Sequence, residues 1–160
     1  MDAVTFQTEA MRIEKLLYRV SWSYLKNDAD CADAVQEALT RAWEKRNTLK
    51  SHDQFKPWLI RILTNQCKDM LRKRRRQSFY PLEEDTATYP PPGEPSPILE
   101  EIDHLTPEQR IVVMLHYGDG YSATEISNML GLPQGTVKSR LLLARRHLRK
   151  TLQVTWEESK

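Results

Sequence analysis

At 160 residues, with 39% hydrophobic and 29% charged side chains and a net charge of +2, the chain holds material for one ordinary domain or two small ones. No apolar run approaches the roughly 18 to 20 residues that a membrane span needs. Residues 1–20 interleave charges with apolar residues where a secretion signal would run uninterrupted, so a cytoplasmic location is expected. The two cysteines, Cys31 and Cys67, lie far apart with no CxxC partner; buried free thiols are expected, with no metal and no cofactor.

The charge is unevenly laid out. Residues 1–77 carry 16 Lys and Arg against 10 Asp and Glu, residues 78–104 carry seven acids and no Lys or Arg, and residues 105–160 carry eight basic and five acidic side chains. Two basic blocks thus flank an acidic connector. Basic blocks suit a polyanionic partner, because neutralising phosphates releases counterions. A merely solvated basic surface fits the same counts.

The first 77 residues contain no glycine and one proline, Pro57, a composition that reads as helix. Ile13, Leu17, Val20 and Tyr24 recur at helical spacing, and Leu16 widens the stripe. Asn27 and Asp28 break that pattern and can cap a second helix, whose apolar face is Cys31, Val35, Ala38, Leu39 and Ala42 with Trp43 beside it. The polar stretch from Arg46 to Pro57 predicts a loop. A third helix follows with Leu59, Ile62, Leu63, Gln66, Cys67, Met70 and Leu71 inward, ending in Arg72-Lys73-Arg74-Arg75-Arg76.

Residues 78–97 hold six of the nine prolines. Proline removes backbone donors and favours extended chain, so this segment reads as a linker. Helix signals then return. Ser96 before Pro97 can start a short helix through Leu105, and Thr106-Pro107-Glu108-Gln109 supplies an N-cap, a proline at the first helical position and a capping-box glutamine. Ile111, Val112, Met114 and Leu115 give that helix its core face, with Gly118 at its end. Ser122 and Glu125 form a second capping box for a helix through Leu130, closed by Gly131; a last helix runs from about Gln134 to Leu152. No segment alternates as a strand would. The expected fold is all-α: two small helical domains, residues 1–77 and 98–160, joined by the proline-rich acidic linker 78–97.

Residues 122–152 carry the most specific pattern. A helix-turn-helix needs apolar residues that lock two short helices, a small residue at their crossing and a glycine in the turn. Ile126, Leu130, Leu132, Val137 and Leu141 supply the lock, Ser127 the crossing and Gly131 the turn. On the second of these helices Val137, Leu141, Ala144 and Leu148 share the core face. The opposite face carries Gly135, Ser139, Leu142 and Arg146, flanked by Lys138, Leu143, Arg149 and Lys150. Gln134, Lys138 and Ser139 are placed to reach base edges in the major groove. Thr136, Arg140, Arg145 and Arg146 suit phosphates, which position a helix without reading sequence.

Two features before the linker stand out. Asp30, Asp33, Gln36 and Glu37 share one face of the second helix; with no histidine nearby and no glycine-rich loop, a protein-docking or solvated face fits better than acid–base or metal chemistry. On the third helix Lys56, Trp58, Arg61, Asn65, Lys68 and Arg72 mix cations, amide and aromatic, as a single strand of nucleic acid requires. Trp58 taken alone reads first as a core residue, and Asn65 with Asp69 at i and i+4 equally suits a local bond.

With these residues in view the chain resembles an extracytoplasmic-function (ECF) sigma factor of bacterial RNA polymerase, in the sigma-70 family. Residues 30–43 are similar to the helix that docks on the polymerase clamp, residues 55–76 to the promoter-melting and −10 helix, and residues 105–150 to the −35 domain. The resemblance implies core-polymerase docking by Asp33, Gln36 and Glu37, capture of a flipped −10 base by the loop Asn47, Thr48, Leu49 and Lys50, and strand separation by Trp58, Arg61, Asn65, Asp69 and Arg72. It places Thr136, Lys138, Ser139 and Arg140 in the −35 reading helix. Core RNA polymerase and promoter DNA are the implied partners, with an anti-sigma factor clamping both domains, and the protein is not an enzyme. Cys31-Ala32 stands where the family commonly has Ala-Glu, which removes one acidic docking residue.

Two other classes compete. An ordinary helix-turn-helix regulator predicts DNA binding without polymerase and two-fold symmetric sites, but residues 1–77 offer no evident ligand pocket. A carboxylate-dependent nuclease or phosphatase built on Asp30, Asp33 and Glu37 needs a second ligand cluster, which the sequence lacks.

Overall fold

The computed structural model describes residues 1–77 and 101–158, with side chains to residue 150. The linker read at 78–97 and the start of the helix placed after Ser96 lie outside the described residues. Contacts divide the chain into two compact units, Met1–Tyr89 and Pro90–Lys160. Among the described residues there is no strand.

The first unit is built from four helices: α1 (Ala3–Arg12), α2 (Glu14–Leu25), α3 (Asp28–Glu44) and α4 (Phe55–Gln77). Asp2 caps α1 by accepting from the Thr5 amide at 2.7 Å. The chain bends at Ile13 (φ −110°, ψ 15°), so the stripe that reads as one helix from Ile13 is preceded by a separate one. Ile13 itself is half-buried, because it sits in the bend rather than on the face. α2 ends on Lys26 in the left-handed region (φ 54°), and Asn27 then caps α3 by accepting from the Asp30 amide at 3.1 Å.

Helices α2, α3 and α4 pack on one another around Leu17, Val20, Leu59, Ile60 and Leu63. The face that α3 turns inward is Cys31, Ala34, Ala38 and Ala42, each at most 1% exposed. Small residues there let helix backbones approach closely, which leaves Val35 and Leu39 half-buried beside the core instead of in it. On α4 the inward side holds Ile60 and Thr64 while Ile62 and Gln66 are half-buried. The Thr64 hydroxyl is satisfied locally, donating to the Arg61 carbonyl at 3.0 Å. Phe6 pins α1 to this core through edge-to-face contacts with Trp43 (5.3 Å) and Phe55 (5.6 Å). Both cysteines are free and buried; burial pushes both thiols up, Cys67 to about 12, which keeps them protonated and inert.

The second unit is α5 (Pro107–Val113) running into a π turn (Met114–Gly118), then α6 (Ala123–Leu130) and α7 (Gln134–Glu158). Both capping boxes form as their spacing predicts: Thr106 accepts from the Gln109 amide at 3.2 Å, and Ser122 from the Glu125 amide at 3.1 Å. Gly131 closes α6 with φ 67°, a conformation that strains any residue with a Cβ. A π turn takes up an extra residue, so Val113 and Leu115 are buried while Met114 rotates to the half-buried side. Ile126, Met129, Val137, Leu141 and Ala144 complete the lock between α6 and α7, with Leu130, Leu132 and Leu148 half-buried at its edge.

Candidate nucleic-acid interface

Three groups of side chains bear on function, two in the first unit and one in the second. Asp33, Gln36 and Glu37 stand exposed on one face of α3. Glu37 accepts from Arg41 Nε at 3.2 Å, and Asp30, two turns before Glu37, pairs with Arg74 near the end of α4. Gln36 also lines a groove of about 310 Å³ whose walls are Phe6, Met11, Leu17, Val35 and Leu39. An acidic rim beside an apolar trough can dock a helix whose own surface is apolar and basic. Sequence spacing found the carboxylates but not the trough, because its far wall is α1.

The second group forms where residues 46–54 return to α4. Two single 3₁₀ turns, Arg46–Thr48 and His52–Gln54, fold this stretch back. Arg46 stacks over the Trp43 ring at 3.9 Å and donates to the Trp43 carbonyl at 2.8 Å, anchoring the first turn. The result is a hollow of about 300 Å³ lined by Thr48, Leu49, Lys50, Gln54, Trp58 and Arg61. Trp58 is half-buried, its ring centre 6.0 Å from that of Phe55, and it lines this hollow. Asn47 lies exposed on the same turn without lining it. Asn65 and Arg72 continue the exposed stripe along α4, and Arg72 pairs with Asp69 at 3.2 Å. Asp69 therefore bonds forward to Arg72, the alternative to a bond with Asn65.

The third group sits on α7. Gln134, Lys138, Ser139, Arg145 and Arg146 are exposed, and Thr136 and Arg140 are half-buried. The helix starts from the Pro133 carbonyl, which accepts from Thr136 at 3.1 Å and Val137 at 3.2 Å. The turn before it is drawn tight by Ser127, whose hydroxyl donates to the Leu132 carbonyl while its own carbonyl accepts from the Leu132 amide at 3.1 Å. Arg145 meets Tyr117 from the π turn twice over: Nε donates to the phenolic oxygen, and the guanidinium lies 5.7 Å from the ring centre. Tyr117 has no local signal in the sequence, being 28 residues from Arg145. Among the described residues no three His, Cys, Asp or Glu side chains are gathered to hold a metal, and no helix is long and apolar enough to cross a membrane.

The chain matches two family models, sigma-70 region 2 over residues 10–77 and sigma-70 region 4 over residues 96–148. It is 27% identical over 146 residues to RNA polymerase sigma factor SigV of Bacillus subtilis (strain 168), covering 88% of this chain and 86% of that protein. To ECF RNA polymerase sigma factor SigM of Mycobacterium tuberculosis it is 30% identical over 157 residues, covering 94% and 79%. Among solved structures, the sigma factor RpoE of Bartonella quintana, in complex with the anti-sigma factor NepR, superposes with a TM-score of 0.78 at 27% identity, covering 94% of this chain and 98% of that one. CnrH, solved with the cytosolic domain of CnrY, shares the fold with a TM-score of 0.69 at 21% identity, covering 96% and 90%.

Proposed function

The chain belongs to the sigma-70 family as an ECF-type RNA polymerase sigma factor for transcription initiation, and from that premise we propose how its residues divide the work. Asp33, Gln36 and Glu37, with the trough beside Gln36, dock on core polymerase. Asn47, Thr48, Leu49 and Lys50 with Trp58, Arg61, Asn65 and Arg72 take the −10 element as a single strand. Gln134, Lys138 and Ser139 read base edges of the −35 element, while Thr136, Arg140, Arg145 and Arg146 hold its phosphates. Residues 1–77 and 98–160 act as the two domains and 78–97 as their tether.

The observation that carries this reading is the convergence of Thr48, Leu49, Lys50, Trp58 and Arg61 on one hollow. An indole wall with two cations at the rim suits one unstacked base and its phosphate. Separating a duplex costs about 1.4 kcal/mol per stacked step. No hydrolytic chemistry is needed to meet that cost; a captured base and neutralised phosphates offset it by binding alone, so the protein works as a non-enzyme. It acts in the cytoplasm with polymerase. An anti-sigma factor is the natural negative partner, by analogy with the complex of RpoE with the anti-sigma factor NepR.

The test starts from purified protein and core polymerase: saturable binding, then run-off transcription from a genomic promoter pool, then permanganate probing of the opened strand. Trp58→Ala and Arg61→Ala are expected to keep core binding and to lose reactive thymines at the −10 element. Asp33→Ala is expected to weaken core binding itself. Full strand opening by Trp58→Ala would remove the hollow from the mechanism.

A further inference from the structure

We propose that Leu142 and Leu143 recognise thymine methyl groups in the −35 element. This rests on the placement of α7 in the major groove and extends it to residues that hydrogen-bond chemistry leaves out. Both side chains are exposed, at 46% and 51%. Successive helix residues stand about 100° apart, so the two leucines lie about 50° to either side of the line through Gly135, Ser139 and Arg146. That line is opposite the buried Val137, Leu141 and Ala144. Along it the neighbouring groups are a hydrogen at Gly135 and a short hydroxyl at Ser139. The leucines are therefore the large apolar groups that this outer face presents.

A single exposed leucine is ordinary. These two are adjacent on the outer face and share it with the exposed cations Lys138, Arg146 and Arg149, with Arg145 at its edge. These cations select the occupant. An apolar protein helix laid over this patch would strip water from the cations without answering their charge, whereas DNA answers each with a phosphate. Between the phosphates an apolar side chain meets base edges. The apolar group that a base pair presents in the major groove is the thymine C5-methyl. A guanine carbonyl or cytosine amino group pressed against leucine would lose water and gain no partner, so such a pair is disfavoured at these positions.

Deoxyuridine lacks that methyl and keeps every hydrogen-bonding group of thymine, so it isolates the contact. On a promoter taken from the run-off pool, each −35 thymine is replaced in turn by deoxyuridine and holoenzyme affinity is measured. One buried carbon corresponds to about a fourfold loss, expected at one or two of these thymines with the native protein. Leu142→Ala and Leu143→Ala are each expected to abolish the discrimination at one of them. If deoxyuridine is neutral at every thymine, or the discrimination survives in the doubly substituted protein, the proposal is overturned. Lys138→Ala separates the two layers. Weaker binding by that variant with neutral deoxyuridine rejects the leucine contact alone, and unchanged binding by it rejects the placement of α7 on which the proposal stands.

Discussion

The Tyr18 phenol is held above its ordinary pKa. Its hydroxyl donates to Asp28 Oδ1 at the start of α3, and this bond, ahead of burial and the repulsion of the Asp28 charge, raises the phenol from 10.0 to about 12. A folded pKa above the unfolded one means that the stabilisation is complete below pH 10 and is lost as pH rises toward 12. Because Tyr18 is 38% exposed, solvent screening holds the gain to at most about 1 kcal/mol. Absorbance titration of the folded protein should therefore find a tyrosine step displaced toward pH 12, and Tyr18→Phe should remove that step together with the extra loss of stability above pH 10. An unchanged alkaline limb in Tyr18→Phe would dismiss the bond. Arg110 makes a contrasting case. At 3% exposure it donates to the carbonyls of Ile102, Asp103 and Leu105 at 3.2, 3.1 and 2.8 Å, tying residues 101–105 to α5. Burial lowers its pKa against the pull of Asp103 and Glu108. A lone arginine in a helix gives no sign of such burial, which arises only once the chain before Thr106 wraps around it.

Among the elements, helix ends were legible and helix faces less so, for one reason: caps are local and faces are not. Asn27, Thr106, Ser122 and Gly131 each act within a few residues of themselves. The inward face of α3 depends instead on which neighbour it meets, so Ala34 is buried while the more apolar Val35 and Leu39 line the trough. α1 hid because its buried residues are only Phe6 and Ala10 within a polar stretch. The residues proposed for the −10 element can be named one by one from the sequence, but the meeting of Thr48, Leu49, Lys50, Trp58 and Arg61 around a hollow follows from two 3₁₀ turns that no periodicity announces. The link between the π turn and α7 was equally invisible, and it has a consequence. Tyr117 restrains Arg145 on the helix assigned to the −35 element, so less side-chain freedom is lost when Arg145 meets a phosphate. Tyr117→Phe should weaken promoter binding by about two- to threefold, the low end for one exposed hydrogen bond. Arg145→Ala should lower the salt slope of binding by about one. In the Arg145→Ala background Tyr117→Phe should do nothing more; an additive loss would show that Tyr117 acts elsewhere.

For the whole molecule the question is why two such small units are joined at all. On the proposed roles each offers a few phosphate and base contacts, too few for tight binding alone, and linking them would make the second engagement intramolecular, with a gain on the order of 100- to 10,000-fold where the tether spans the gap. Residues 78–97, with six prolines and no Lys or Arg, have the composition of a semi-rigid spacer that keeps away from phosphate. Effective concentration falls roughly as the −3/2 power of tether length, so inserting about 20 Gly/Ser residues there, which doubles the spacer, should lower open-complex formation only about threefold. The loss should appear on promoters with both elements and vanish on those where the −35 element is scrambled, because no second engagement then remains to be weakened. Expressing residues 1–77 and 98–160 as separate chains should forfeit most of the joint gain at equal concentration. A loss well beyond tenfold from the insertion, persisting on the scrambled promoter, would mean that residues 78–97 touch polymerase or DNA themselves and do more than set a distance.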